Sequence, residues 1–201
     1  MAVTPNYSWP VPVNTDYVKD GAEAIKDLGD AIDATVFGLP SGGLSLITSS
    51  TFTSQTTVSV SSCFSATYDN YFITVTVPTC ASENVNFRLR ATATDAATNY
   101  YWAQIRGTQS GTVSGAGANP GTSTQFSHSG AGDNICGDIT LFNPFVTGKT
   151  SGQMRAFGGD GANYLQRMTG FTHSTSASYD GFSILFAGNS TGVIRVYGLA
   201  I

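Results

Sequence analysis

Residues 71–77, YFITVTV, place Ile73, Val75 and Val77 on one side of an extended chain and Thr74 and Thr76 on the other. Side chains of a strand alternate between faces, so this stretch reads as a strand with one face buried and one wet. Residues 87–91, FRLRA, repeat the pattern, with Phe87, Leu89 and Ala91 opposed to Arg88 and Arg90. Further runs of the same kind occupy Leu44 to Thr48, Thr57 to Val60, Tyr100 to Arg106, Ser123 to His128, Ile135 to Phe142, Gln153 to Phe157, Tyr164 to Thr172, Gly181 to Ala187 and Gly192 to Tyr197. About ten short strands separated by Gly, Asn, Asp and Ser turns predict an antiparallel β-sandwich, jelly-roll-like, over residues 40–201.

Two segments echo each other. Residues 65–73, SATYDNYFI, and 176–184, SASYDGFSI, share a tyrosine, a turn and an apolar entry into a strand. Asp-Asn and Asp-Gly suit tight turns because they tolerate positive φ. Both tyrosines, Tyr68 and Tyr179, are expected to cover a strand end.

The front of the chain breaks the pattern. Residues 14–39, NTDYVKDGAEAIKDLGDAIDATVFGL, carry Val18, Ile25 and Ile32 at seven-residue intervals with Leu28 between the last two. Such spacing makes an apolar seam on one side of a helix, here expected over residues 15–39. Gly21 and Gly29 each cost roughly 1 kcal/mol relative to alanine. So short a helix is marginal alone, and the seam predicts that it gathers copies of itself. Asn14 or Thr15 can cap its start, Asp16 complements its positive end, and Gly38 and Pro40 close it. Ahead of it, Pro5, Pro10 and Pro12 rule out a helix in residues 1–14 and predict an extended leader. Tyr7 and Trp9 on so stiff a peptide, with Pro10 and Pro12, suit docking into a larger assembly, since little entropy is lost on ordering.

Composition bounds the partners. Of 201 residues only 11% are charged, and the net charge is -4. The surface is neutral and hydroxyl-rich, with no basic footprint for nucleic acid. The N-terminus has no signal-peptide pattern, and no apolar run is long enough for a membrane helix. Cys63, Cys80 and Cys136 form no close pair, and His128 and His173 stand apart, so neither a metal site nor a cofactor is expected.

The remaining motifs favour structure over chemistry. Residues 188–192, GNSTG, match the letters of a nucleophile elbow, but Val193 to Tyr197 alternates as a strand where that motif needs a helix. A hairpin turn is expected there. Asp133, Asp138 and Asp160 are scattered carboxylates, and catalysis by a pair of them would require a particular separation. Asp160 sits in a glycine-rich turn that lacks the acids of a calcium loop. The glycine-rich run from Ser110 to Gly121 has no phosphate-binding lysine and reads as a mobile surface loop. Tyr100, Tyr101 and Trp102 form the densest aromatic cluster of the β region, and flat rings suit sugar faces, so these three are the candidate glycan contacts.

The order of these parts resembles a family. The opening PNYSWPVPVNTDYVKDGAEAIKDLGDAID, residues 5–33, is similar to the N-terminal segment of minor tail or fibre-like proteins of tailed bacteriophages. The segments FSATYDNYFITVTV, SYDGFSI and GVIRVYGL are similar to the β heads of those proteins. The resemblance implies a non-enzymatic virion structural protein, made in the bacterial host cytoplasm. It implies a homotrimer anchored at its N-terminus and displaying a β head; the preferred reading adds that the leader docks on another virion protein and that the head engages a host surface glycan. A tail location is preferred over the alternatives, a capsid decoration protein or head fibre and, third, a surface-polysaccharide depolymerase.

Overall fold

The structure is a computed structural model, and it describes residues 2–11, 13, 17–38, 43–81, 84–127, 133–159 and 163–199. Pro12, Asn14, Thr15, Asp16, Pro40, His128 and Asp160, to which the sequence assigned roles, lie outside the described residues. The chain divides into two compact units, residues 1–42 and 43–201.

In the first unit the leader folds back on itself. Strands β1 (Ala2–Val3) and β2 (Pro10–Val11) pair antiparallel around a turn, so the expected extended leader is instead a small hairpin. The Thr4 hydroxyl accepts from the Trp9 amide at 3.0 Å, and the Thr4 and Trp9 backbones exchange a further bond that closes the loop. The Tyr7 and Trp9 rings stack with centroids 5.1 Å apart. The Trp9 indole N–H donates to the Thr35 hydroxyl on the helix at 2.9 Å. That helix, α1, runs over Gly21–Gly38 and is entered through a 3₁₀ turn at Val18–Asp20, shorter at its front than the expected 15–39. An amphipathic helix of 18 residues gains most of its stability from packing, and here one strip, Ala24, Leu28, Ala31 and Thr35, is the less exposed side.

The second unit is mainly β, a large curled antiparallel sheet closing into a sandwich. Its strands are β3 (Leu44–Val60), β4 (Asn70–Cys80), β5 (Val85–Ala91), β6 (Thr94–Asp95), β7 (Tyr100–Thr108), β8 (Val113–Gly121), β9 (Thr124–Ser127), β10 (Asp133–Phe142), β11 (Gly148–Gly159), β12 (Tyr164–Ala177) and β13 (Gly181–Leu199). The order is β6-β5-β13-β4-β10-β11-β12-β7-β8, with β3 also along β13 and β9 along β5. The alternation at 71–77 is realised as expected: Tyr71, Ile73, Val75 and Val77 are buried and Phe72, Thr74 and Thr76 are not.

Three expectations are corrected. Residues 188–192 form no hairpin, because β13 runs unbroken through them; its first half pairs with β5 and its second with β4. The glycines mark the bend between partners: a side chain at Gly192 would meet the Thr76 carbonyl at 2.3 Å. Likewise the two expected strands at 44–48 and 57–60 are one strand, β3, whose pairing with β13 shifts register opposite that bend. The glycine-rich run after Ser110 is not a loop but the edge strand β8, paired with β7. Its small residues permit close approach, since a Cβ at Gly117 would lie 2.8 Å from the Trp102 carbonyl.

A chain of rings runs through the core. It passes from Tyr68 to Tyr71, Phe64, Phe182, Phe87, Phe171, Tyr100, His173 and Tyr179, each centroid 4.6–6.5 Å from the next. At Tyr71 the polar atom is satisfied: the hydroxyl accepts from the Ser65 amide at 2.7 Å and donates to the Ser65 carbonyl at 2.9 Å. Of the two echoed tyrosines, Tyr68 lies against Gly198 near the end of β13, where a Cβ would come within 2.4 Å of its ring. Tyr179 is buried and shares a 2.9 Å hydrogen bond with His173 Nδ1. Buried Cys63, whose thiol is pushed up to about 12 by loss of solvent, is inert packing.

His173 supplies a pH signature. Its Nε2 lies 2.9 Å from the Thr98 carbonyl, which can only accept, so Nε2 carries the proton and Nδ1 receives the Tyr179 hydroxyl. Burial holds its pKa below 6.5. The unfolded chain therefore takes up the proton first, and stability, full above about pH 6.5, falls as the pH drops below it. The urea midpoint is expected to be lower at pH 5.5 than at pH 7.5, and His173→Gln should flatten that difference; an unchanged slope would refute the assignment.

Candidate functional site

Strands β10, β11, β12 and β7 lie side by side, and their registers set outward side chains in rows across the sheet. One row runs Ala103, Gly170, Gln153, Thr140. The row on one side of it is Ile105, Met168, Arg155, Asp138, and on the other Tyr101, Thr172, Ser151, Phe142. Because Ala103 and Gly170 are small and the flanking rows are large, the middle row is the floor of a trough. Two contiguous stretches of that trough enclose about 620 and 550 Å³. Ile105 and Met168 stand 62% and 53% exposed on one bank, and Tyr101 and Phe142 each 40% exposed on the other.

The charge in the trough is neutralised locally. Arg155 Nε donates to Asp138 Oδ1 at 3.1 Å, directly opposite it in the β10–β11 register. Gln153 and Thr140 add uncharged donors and acceptors on the floor. At the far end, Phe157 and Tyr164 are exposed and stack with centroids 5.9 Å apart and planes 2° from parallel. Such a surface offers flat apolar rings beside neutral hydrogen-bonding groups, which matches a ligand carrying hydroxyls on one side and C–H bonds on the other.

The sequence-derived aromatic trio is divided by the structure. Tyr100 is withdrawn from it: the ring is fully buried, and its hydroxyl accepts from the Leu89 amide at 2.8 Å and donates to the Ala96 carbonyl at 3.0 Å. Trp102 is half-buried on the same side as Tyr100 and packs against the core. Tyr101, of opposite parity, turns outward to the trough, which Trp102 also borders. Sequence reasoning missed Thr140, Gln153, Arg155, Met168 and Gly170; the detectable signal was the wet parity of each strand, but not which strands are neighbours.

Asp133 and Asp138 do not form a pair, and Asp160 lies outside the described residues. Asp138 is committed to Arg155, and Asp133 stands five strand residues away, about 16 Å of backbone. That exceeds the separation that two-carboxylate glycoside hydrolysis uses. Among the described residues no group of three or more His, Cys, Asp or Glu is placed to hold a metal, and Cys63, Cys80 and Cys136 are joined in no disulfide. No described helix is long and apolar enough to cross a membrane.

Of the expected seam residues, Val18 is not on α1 but in the 3₁₀ turn ahead of it, where it is 98% exposed; on α1 Ile25 is 68% exposed, while Leu28 and Ile32 are half-buried. Val36 and Phe37 extend the exposed apolar surface toward the C-terminal end. Of the leader residues, Tyr7 is exposed, and Trp9 and Pro10 are half-buried within the hairpin.

The fold and the trough together describe a β-sandwich module with a trough along one outer sheet face. No protein-family model matches the chain, and no curated protein matches it. Among solved structures it is similar to the galectin LEC-6 of Caenorhabditis elegans, at 13% identity and a TM-score of 0.35, over 73% of this chain and 94% of that one. So low a score carries no inference about ligand or partner.

Proposed function

We propose that this chain is a non-enzymatic virion structural protein, a tail fibre or receptor-binding protein whose β unit attaches a bacteriophage to a host surface glycan through the outer trough. The observation that carries the glycan part is the neutral trough banked by Tyr101 and Phe142 with Gln153 and Thr140 on its floor. The virion part is supported by the likeness of residues 5–33 to tail-protein openings. In this reading the apolar seam of α1 gathers three copies, and the hairpin that presents Tyr7 meets another virion protein. Individual trough contacts are weak, and joining several heads on one stalk supplies avidity without new contacts.

Two measurements test it. Immunogold electron microscopy of purified particles should place the protein on the tail; labelling of the capsid would replace the receptor-binding role with shell decoration. Binding of the full chain to host-surface polysaccharide, followed by calorimetry, should fall at least tenfold in Gly170→Leu. A Cβ at Gly170 meets nothing within 4 Å, so the variant folds while its side chain fills the floor. Equal binding by the variant would remove the trough from the account. Release of new reducing ends during the same titration would identify a depolymerase.

A further inference from the structure

The trough does not end at the bank that carries Ile105 and Met168. Where that bank crosses β11 and β10 it consists of Arg155 and Asp138, and this ion pair also lines a second hollow, of about 700 Å³, on the same outer face. The floor of the hollow is Thr74 and Thr76 of β4 with Cys136 of β10, which stands opposite Thr76 in register. Phe72 of β4 and Phe157 of β11 occupy opposite corners of it. Both rings are held by neighbours: Phe72 packs beside Tyr197 with centroids 6.4 Å apart, and Phe157 lies in its parallel stack on Tyr164. A ring already fixed in this way loses little freedom when a ligand covers it.

The second hollow repeats the chemistry of the first. In the trough, Tyr101 and Phe142 flank the Thr140 hydroxyl and the Gln153 amide. In the hollow, Phe72 and Phe157 flank the hydroxyls of Thr74 and Thr76, with the Gln166 amide beside them. Between the two, Arg155 and Asp138 neutralise each other and set hydrogen-bonding groups at the crossing. The path is a diagonal from Tyr101 on β7 to Thr76 on β4. It covers four strand spacings across the sheet, about 19 Å, and the length of β11 from Ser151 to Phe157, about 20 Å. A surface that presents the same groups twice along one line complements a ligand that repeats its own groups along its length.

We propose that the two hollows form one extended site that takes a linear stretch of several units of a neutral polysaccharide, one part over the trough floor and the next over Thr76 and Cys136. The ion pair lies beneath the linkage between those parts and meets hydroxyls of both. This assignment rests on the reading of the trough as a glycan site, and it adds length as the property the site selects. Units joined in one chain enter the second hollow without a second loss of translational freedom, so affinity rises with length until both hollows are filled and then levels.

Cys136 supplies the reporter. It is exposed on the floor of the second hollow, whereas Cys63 and Cys80 are buried, so iodoacetamide labels it selectively. The full chain is titrated by calorimetry with host-surface polysaccharide hydrolysed to fragments graded by length, and Cys136 labelling is followed by intact mass with each fragment present. Long fragments are expected to bind about tenfold tighter than single units. At a concentration of long fragments that saturates the trough, labelling should slow about tenfold; the same concentration of sugar units supplied singly should leave it little changed. Phe157→Ala, the loss of an exposed ring, should remove most of the gain with length, and Gly170→Leu should weaken every fragment. Equal affinity for single units and long fragments would overturn the extended site and leave the trough reading standing. A rise with length while Cys136 is labelled at its original rate would also overturn it, since avidity between heads gives the rise without covering the thiol. Failure of the intact polysaccharide to bind would remove the glycan reading, and the extended site with it.

Discussion

Phe182→Ala is expected to cost about 3–5 kcal/mol, enough to remove a large part of the stability of a domain of this size. Phe182 is fully buried and paired in register with Leu89 of β5 and Val60 of β3. Its ring stacks between Phe64 at 5.9 Å and Phe87 at 5.6 Å, so it is the link between two halves of the aromatic chain. Truncation loses the burial of the ring and also leaves its neighbours facing a void. The surrounding strands are hydrogen-bonded on both sides and cannot collapse to fill it, which places the cost at the upper part of that range. Urea unfolding followed by fluorescence measures it; a loss under about 1 kcal/mol would mean that the two layers are less firmly packed than described.

Ile25→Asp is expected to convert an oligomer into monomers. Ile25 is 68% exposed in the single chain and sits one heptad from both Val18 and Ile32. In an assembled seam each copy would bury a carboxylate among apolar side chains with no cation opposite, at a cost of several kilocalories per chain. In the separate chain the same aspartate stays in water and costs little. Sedimentation equilibrium should therefore give the mass of three chains for the native protein and of one for the variant, with the β unit melting unchanged. Native protein that is monomeric, or a variant of unchanged mass, would end the proposal that α1 assembles copies.

How much of this was legible depends on the range of the interaction. Residues 71–77 announced their strand because alternation is a local property, and β4 buries the side expected. Residues 188–192 misled because glycine, asparagine and serine are as suitable for a bend within a strand as for a reversal between strands. Which of the two occurs is decided by β4 and β5, partners more than 90 residues away in the chain. Tyr100 to Trp102 show the same limit on a smaller scale: three adjacent rings were visible, and parity required that they divide between faces, but the choice of Tyr101 as the outward one came from β12. The trough was illegible for a related reason, since its rows meet only through the registers of β7, β12, β11 and β10. The leader hairpin escaped because its proline content argues against a helix and is silent about a two-residue ladder.

β13 has an implication for biogenesis. It is a 19-residue strand that borders β3 on both sides of its bend, β5 over its first half and β4 over its second. Every ribosome makes it after all three of those partners. A nascent polypeptide halted before Gly181 carries unsatisfied edges on each of them, ready to pair with edges on neighbouring polysomes. Closure of the β unit therefore waits for β13: the strands made before it keep open edges until that late stitch, and an agent that shields exposed ladders during that wait would raise the yield of correctly closed protein.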